Sequence, residues 1–215
     1  MSAGCCACAL LVRGFAVRAV VRRPSSSDML PSAVEIGWRG EISPDTSWPS
    51  ELFRGIDAVV HLAAKVHCRG AKPQEFAAMN VQATETLLLA AARRVRRFVY
   101  CSSVHAMANF AERPLSEHDE CRPTTPYGKS KRDAESAVRR LARSSGVEMV
   151  IMRPTPVYGA GLPGDLMRLL HCAGAVTRCR SDCCEGDEAL SLSKTSWMLS
   201  SPPSNIPRRQ AKRFL

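Results

Sequence analysis

Short β-branched apolar runs alternate with longer helix-like stretches through most of this chain, and that alternation restricts the fold more than any other feature. AVRAVVR (16–22) and IDAVVHL (56–62) carry apolar residues at consecutive positions, the pattern of strands buried on both faces. EFAAMNVQATETLLLAAARRV follows with leucines and alanines at helical spacing, and then comes the strand-like RFVYCSS (97–103). A loop rich in proline and acid, 111–126, leads to a helix expected over 128–144, and VEMVIMRP closes the pattern as another strand. Strands separated by helices pair in parallel through right-handed crossovers. The expected fold class is therefore α/β, built on a doubly wound parallel sheet.

The remaining composition narrows the class. With 45% hydrophobic residues in 215 and no apolar run near 18 residues, the chain reads as a soluble domain with no membrane span. The opening CCACALLV lacks a basic leader and a cleavage site, so a cytoplasmic location is expected. Cysteines crowd the two ends, but the spacing of Cys172, Cys179, Cys183 and Cys184 matches no paired zinc knuckle, and no metal site is expected. The basic cluster RRVRR (93–97) sits where a helix's last turn favours cations, so no nucleic-acid partner is expected either. Two regions result: residues 1–170 as the patterned domain, and 171–215 as an irregular segment dense in Ser, Cys, Pro and Arg.

The stretch TPYGKSKRDAE (125–135) carries the chemistry, because a helix brings Tyr127 and Lys131 onto one face. An ammonium beside a phenol favours the phenolate, and tyrosinate can take a proton from an alcohol. The competing reading is a packed ring beside a solvated amine. Ser102 and Ser103 end the strand-like RFVYCSS, at the edge where parallel sheets bind ligands, and a serine there can hydrogen-bond the same substrate oxygen.

Taken in order, DAVVHLAA (57–64), MNVQAT (79–84), RFVYCSS, PYGKSK (126–131) and MRPTPVYGAG (152–161) resemble one family over about residues 10–170. It is the extended short-chain dehydrogenase/reductases, in their NAD-dependent nucleotide-sugar epimerase and dehydratase group. The resemblance implies a Rossmann-like domain, NAD or NADP as cofactor, a nucleotide-sugar substrate and a possible homodimer. It makes Tyr127 the general base, Lys131 the residue that lowers its pKa and bonds the nicotinamide ribose, and Ser103 the holder of the substrate hydroxyl, with Ser102 the neighbouring candidate. Leu62, Ala63 and Ala64 would pass beneath the cofactor, while His61 reads as structural. Asn80 would stand behind the active site, Glu41 and Ile42 would hold the adenine, and Pro154 with Thr155 would line the nicotinamide side. Arg22, with Arg23, stands where an acid would bond the NAD ribose; it faces either a 2′-phosphate or solvent.

Epimerisation is the expected reaction, because Val104, His105 and Ala106 follow Ser103 where the family's dehydratases carry an Asp-Glu pair. MRPTPVYGAGLPGDLMRLL resembles 4-epimerase-like members that act on UDP-glucose or UDP-N-acetylglucosamine. A reductase of the dihydroflavonol or hydroxysteroid type would use the same tyrosine, lysine and serine. The resemblance also sets out departures: no first strand with its glycine-rich turn precedes residue 16, and nothing after Leu170 resembles a substrate-binding domain. The expectation is a member truncated or frameshifted at both ends, with a non-catalytic remnant as the remaining reading.

Overall fold

The computed structural model describes residues 3–23, 30–66 and 70–155, together with the backbone of two-residue strands at 157–158, 191–192 and 213–214. Helix α1 (Ala3–Val12) leads through a left-handed Gly14 into β1 (Ala16–Val21), and β2 (Glu35–Arg39), β3 (Ala58–His61), β4 (Arg97–Cys101) and β5 (Glu148–Met152) follow in chain order. Between β3 and β4 the chain forms α2 (Pro73–Phe76), a π-helical segment (Ala77–Gln82) and α3 (Ala83–Ala91); α4 (Pro126–Ser145) separates β4 from β5. Three further strands are β6 (Val157–Tyr158), β7 (Ser191–Leu192) and β8 (Arg213–Phe214). The main sheet runs β2-β1-β8-β3-β4-β5 with every pairing parallel, while β6 and β7 pair separately.

The doubly wound sheet is thus the observed architecture, and the four apolar runs chosen from sequence are its strands. Two strands of the main sheet lie outside that reading: β8, and β2, EIGWR, which has a glycine and charged ends instead of a β-branched run. The long helix expected over EFAAMNVQATETLLLAAARRV is interrupted by the π-helical turn. The central position between β1 and β3 is held by β8, whose backbone pairs with Ala16 and Val17 on one side and Ala58 on the other. Of the region 171–215, only β7 and β8 lie within the described residues; the cysteines at 172, 179, 183 and 184 lie outside them.

The core lies on the face of the sheet covered by α3 and α4. Leu87, Leu88 and Ala91 of α3 and Ala134 and Val138 of α4 pack on Val59, Phe98 and Tyr100, closed by Leu52, Phe53 and Ile56. Each fully buried Leu, Val or Phe contributes about 1.5–3 kcal/mol, so this cluster dominates stability. A smaller cluster of Ala7, Val17 and Val34 seats α1 on the other face. The basic run 93–97 ends α3: Arg94 donates to the Ala90 carbonyl at 3.3 Å, and Arg97 pairs with Glu148 across the sheet at 2.7 Å. Among the described residues, no helix is long and apolar enough to cross a membrane.

Helix α4 positions the chemistry, and its start is tightly fixed. Thr125 caps it by accepting the Gly128 amide at 3.1 Å, and Pro126 occupies the first turn, where its missing N–H costs nothing. A Cβ on Gly128 would collide with the His105 carbonyl, so only glycine lets the helix start this close to the strand end. Gly146, at φ 74°, closes the other end in the left-handed conformation.

Candidate active site

Tyr127, Lys131, Ser102 and Ser103 converge at the carboxyl end of β4. Ser103 is extended and begins a single 3-10 turn, Val104–Ala106, its hydroxyl accepting the His105 amide at 3.2 Å. The Tyr127 phenol stands beside the same hydroxyl, which favours the phenol's ionised form. Edge-on contacts fix the phenol ring, with Phe76 at 6.4 Å and His105 at 6.2 Å between centroids. Lys131 is 2% exposed; its ammonium donates to the Cys101 carbonyl at 2.7 Å and lies 4.5 Å from the Tyr100 ring centroid.

The two serines have different surroundings. The Ser102 hydroxyl donates to Glu135 at 2.6 Å, inside a buried pair in which Arg153 grips both carboxylate oxygens at 2.9 and 2.6 Å. Ser103 is the one that faces the phenol. Neither Glu135 nor Arg153 is evident from sequence as part of the site, although Glu135 lies one turn beyond Lys131 on the same helix face.

Electrostatics depart from the expectation for Tyr127. Burial pushes its phenol above the ordinary value near 10, opposed by the Ser103 hydroxyl. The Lys131 ammonium is engaged by the Cys101 carbonyl, and burial lowers it to about 8. At neutral pH the protein therefore presents a neutral phenol and a charged amine. Burial alone would raise Glu135, but the bonds from Arg153 and Ser102 outweigh it and hold the carboxyl below its usual range.

His61 ends β3 as a buried structural residue. Thr84 donates its single hydroxyl proton to the Asn80 carbonyl at 2.8 Å, so the 2.9 Å contact with His61 Nε2 requires the ring to be the donor. Burial, then the Lys131 charge, lower its pKa to about 3, so the ring is neutral. Asn80, 1% exposed, accepts the Lys65 amide at 2.7 Å and donates to Ser130 at 2.9 Å, joining the loop after β3 to α4.

A second region lies between β1 and β3, where a cavity of about 360 Å³ is lined by Arg22 and Ile42 on one side and Leu62 and Ala63 on the other. Ala3 and Gly4 at the start of α1 also line it. Of the other cofactor candidates, Glu41 is exposed and Ala64 half-buried outside this lining, while Pro154 accepts the Val104 amide at 3.1 Å beside Ser103. Among the described residues, no group of His, Cys, Asp and Glu is placed to hold a metal ion.

A dinucleotide suits these two regions. The cavity is of a size that takes part of a small ligand, with an arginine and a helix start for its anionic portion and small side chains beneath it.

Comparison with known proteins agrees with this geometry. The chain is 34% identical over 139 residues to UDP-glucose 4-epimerase from Vibrio cholerae, covering 61% of this chain and 42% of that protein. It is 33% identical over 158 residues to a 4-hydroxy-2-methyl-3-oxo-4-farnesyl-3,4-dihydroquinoline-1-oxide ketoreductase from Stigmatella aurantiaca, covering 71% of this chain and 46% of that one. It thus spans less than half the length of these relatives. Among solved structures, a short-chain dehydrogenase/reductase superfamily protein from Agrobacterium tumefaciens with bound NAD superposes with a TM-score of 0.60 at 34% identity, covering 71% of this chain and 45% of that chain. MoeE5, in complex with UDP-glucuronic acid and NAD, superposes at 0.63 with 29% identity, covering 77% and 55%. A family model matches residues 5–179, most of the length, and with it the strand order and strand-end site fall into place: this chain belongs to the NAD dependent epimerase/dehydratase family.

Proposed function

We propose that this chain carries the dinucleotide-binding and proton-transfer half of a nucleotide-sugar epimerase, working on a UDP-sugar hydroxyl. The observation that supports this best is the convergence of Tyr127 and Ser103 at the end of β4, with buried Lys131 one helical turn away and bonded to the Cys101 carbonyl. Arg22, Ile42, Leu62 and Ala63 would hold the dinucleotide, with Lys131 toward its nicotinamide ribose. When bound, the nicotinamide supplies a reversible hydride acceptor.

The residues of this chain handle the proton. A sugar hydroxyl seated between Ser103 and Tyr127 would reach both oxygens, and its proton would pass to the phenol oxygen as the carbon loses hydride to the nicotinamide. The proton must arrive at an ionised phenol, and burial opposes that ionisation; a positive charge brought near Tyr127 reverses the balance. Lys131, still charged below about pH 8, is the buried cation one helical turn along α4 that would do so. Ser103 keeps the hydroxyl in line, while Ser102, tied to Glu135, fixes the strand end.

A reductase is the second reading, favoured by Arg22 in the cavity lining, where a 2′-phosphate would find a partner. One assay separates the two. Purified protein given NAD and UDP-glucose should interconvert UDP-glucose and UDP-galactose without net reduction of the dinucleotide, and Tyr127→Phe should abolish turnover while binding persists. Net consumption of NADPH by a ketone substrate would instead establish the reductase. Loss of turnover in Ser102→Ala with Ser103→Ala fully active would overturn the assignment of Ser103.

A further inference from the structure

The chain leaves the strand-end site at Asn109 and returns to it at Thr124, and the Asn109 side chain bridges the neck of the loop 110–123 between them. Its Oδ1 accepts the backbone amides of Thr124 at 3.1 Å and Thr125 at 3.3 Å, and the Thr124 hydroxyl at 3.0 Å. An oxygen that accepts two main-chain amides cannot trade places with the amide nitrogen, so the carboxamide has one orientation. Its Nδ2 then meets Thr125 Oγ1 at 3.3 Å and His105 Nδ1 at 3.4 Å. An amide nitrogen only donates, so His105 Nδ1 is the acceptor, and the ring is neutral with its proton on Nε2. Both partners bear on Tyr127: Thr125 caps α4 two residues before the phenol, and the His105 ring meets the Tyr127 ring edge-on at 6.2 Å between centroids. A further bond across the neck, from the Arg122 amide to the Met107 carbonyl at 2.6 Å, involves neither of them.

We propose that Asn109 is the positioning residue that sets the Tyr127 phenol against Ser103: one arm of its carboxamide fixes where α4 begins, and the other fixes the His105 ring, in its Nε2-protonated form, as the edge on which Tyr127 rests. Its effect on turnover rests on the reading of Tyr127 as the proton acceptor; its effect on geometry does not. Without the clamp, the loop 110–123 can carry the helix start away from the turn that follows Ser103. Reacting groups misplaced by about 1 Å can lose on the order of a hundredfold in rate.

Two substitutions in the whole chain separate the two arms. Asn109→Asp keeps an oxygen for the Thr124 and Thr125 amides but sets an acceptor opposite His105 Nδ1, whereas Asn109→Ala removes both arms. Nitrogen NMR of histidine-labelled protein at neutral pH should show His105 with a bare Nδ1 in the parent and a protonated Nδ1 in Asn109→Asp. The Tyr127 ring signals, assigned by their absence in Tyr127→Phe, should move further in Asn109→Ala than in Asn109→Asp. With NAD and UDP-glucose, kcat should fall by about tenfold to a hundredfold in Asn109→Ala while KM changes little, the pattern of lost alignment instead of lost binding. A protonated Nδ1 in the parent would overturn the proposal, as would Tyr127 signals unmoved by Asn109→Ala or a loss confined to KM. If the parent shows no epimerase turnover while the spectra behave as expected, the sugar reading falls and the placement of Tyr127 by Asn109 stands.

Discussion

Glu135 and Arg153 form a two-point ion pair beneath the strand end, and the carboxylate that Arg153 holds is the one that accepts the Ser102 hydroxyl. Glu135 is 3% exposed, so its charge depends on that partner. Glu135→Ala should cost about 3–5 kcal/mol, because it leaves the guanidinium in a poorly solvated site without its counter-charge. Replacing both residues by methionine should recover most of the loss. Urea unfolding of the two singles and the double gives the coupling directly; additive effects would mean the pair acts as two separate residues.

Tyr100 offers the opposite case. It is 1% exposed and its hydroxyl has no hydrogen-bond partner among the described residues, while its ring lies beneath the Lys131 ammonium. Tyr100→Phe keeps the ring and removes the unpaired hydroxyl, so it should stabilise by about 1 kcal/mol. Thermal unfolding decides it: a lower melting temperature would mean the hydroxyl has a partner in solution, an ordered water being the simplest.

These two cases mark where sequence stops being informative. β1, β3, β4 and β5 were legible because each is a continuous apolar run of strand length, and Ser103, Tyr127 and Lys131 because one strand and one helix end place them within a short stretch. β2 was not, since Gly37 and the charged ends Glu35 and Arg39 break the apolar pattern. The π-helical turn at Ala77–Gln82 hides in a helical sequence because one extra residue per turn barely alters the apolar spacing. Glu135 with Arg153 needs α4 and the end of β5 to be brought together, and β8 needs a pairing across most of the chain; neither has a local signal. The phenol of Tyr127 departs from the expectation for a related reason: helical spacing gives a shared face, but the carbonyl that engages Lys131 comes from β4.

Lys131 should show that the site is maintained against stability. Its folded pKa is lowered to about 8 from the ordinary 10.5, so the unfolded chain holds the proton more strongly between those values. Stability therefore rises as pH rises through that window, and at neutral pH the cost of the buried charge is fully present. Lys131→Met removes the charge but leaves the Cys101 carbonyl without its donor, so its stability at neutral pH should match the parent within about 1 kcal/mol while the proposed turnover disappears. The gap between the two proteins should shift in the parent's favour from about pH 8 to 10.5. A variant destabilised by several kcal/mol at neutral pH would contradict this account.

His61 sets the acid limit of the fold. Burial and the nearby Lys131 charge depress its pKa to about 3 from 6.5, and its ring proton is donated to Thr84. Between those values the unfolded chain binds a proton that the folded chain refuses, so stability falls as pH falls through 6.5. The limiting slope for one such group is about 1.4 kcal/mol per pH unit. His61→Gln can donate to Thr84 without titrating, so it should start less stable at about pH 7, from imperfect packing against Tyr100, and then lose less stability than the parent down to about pH 5. Carboxylates such as Glu135, held below their usual range, add their own acid loss in both proteins and cancel in the difference. Urea unfolding of parent and variant across that range checks the sign: parallel curves would mean the folded protein admits a proton to His61, and that the site beneath Tyr100 is wetter than its geometry implies.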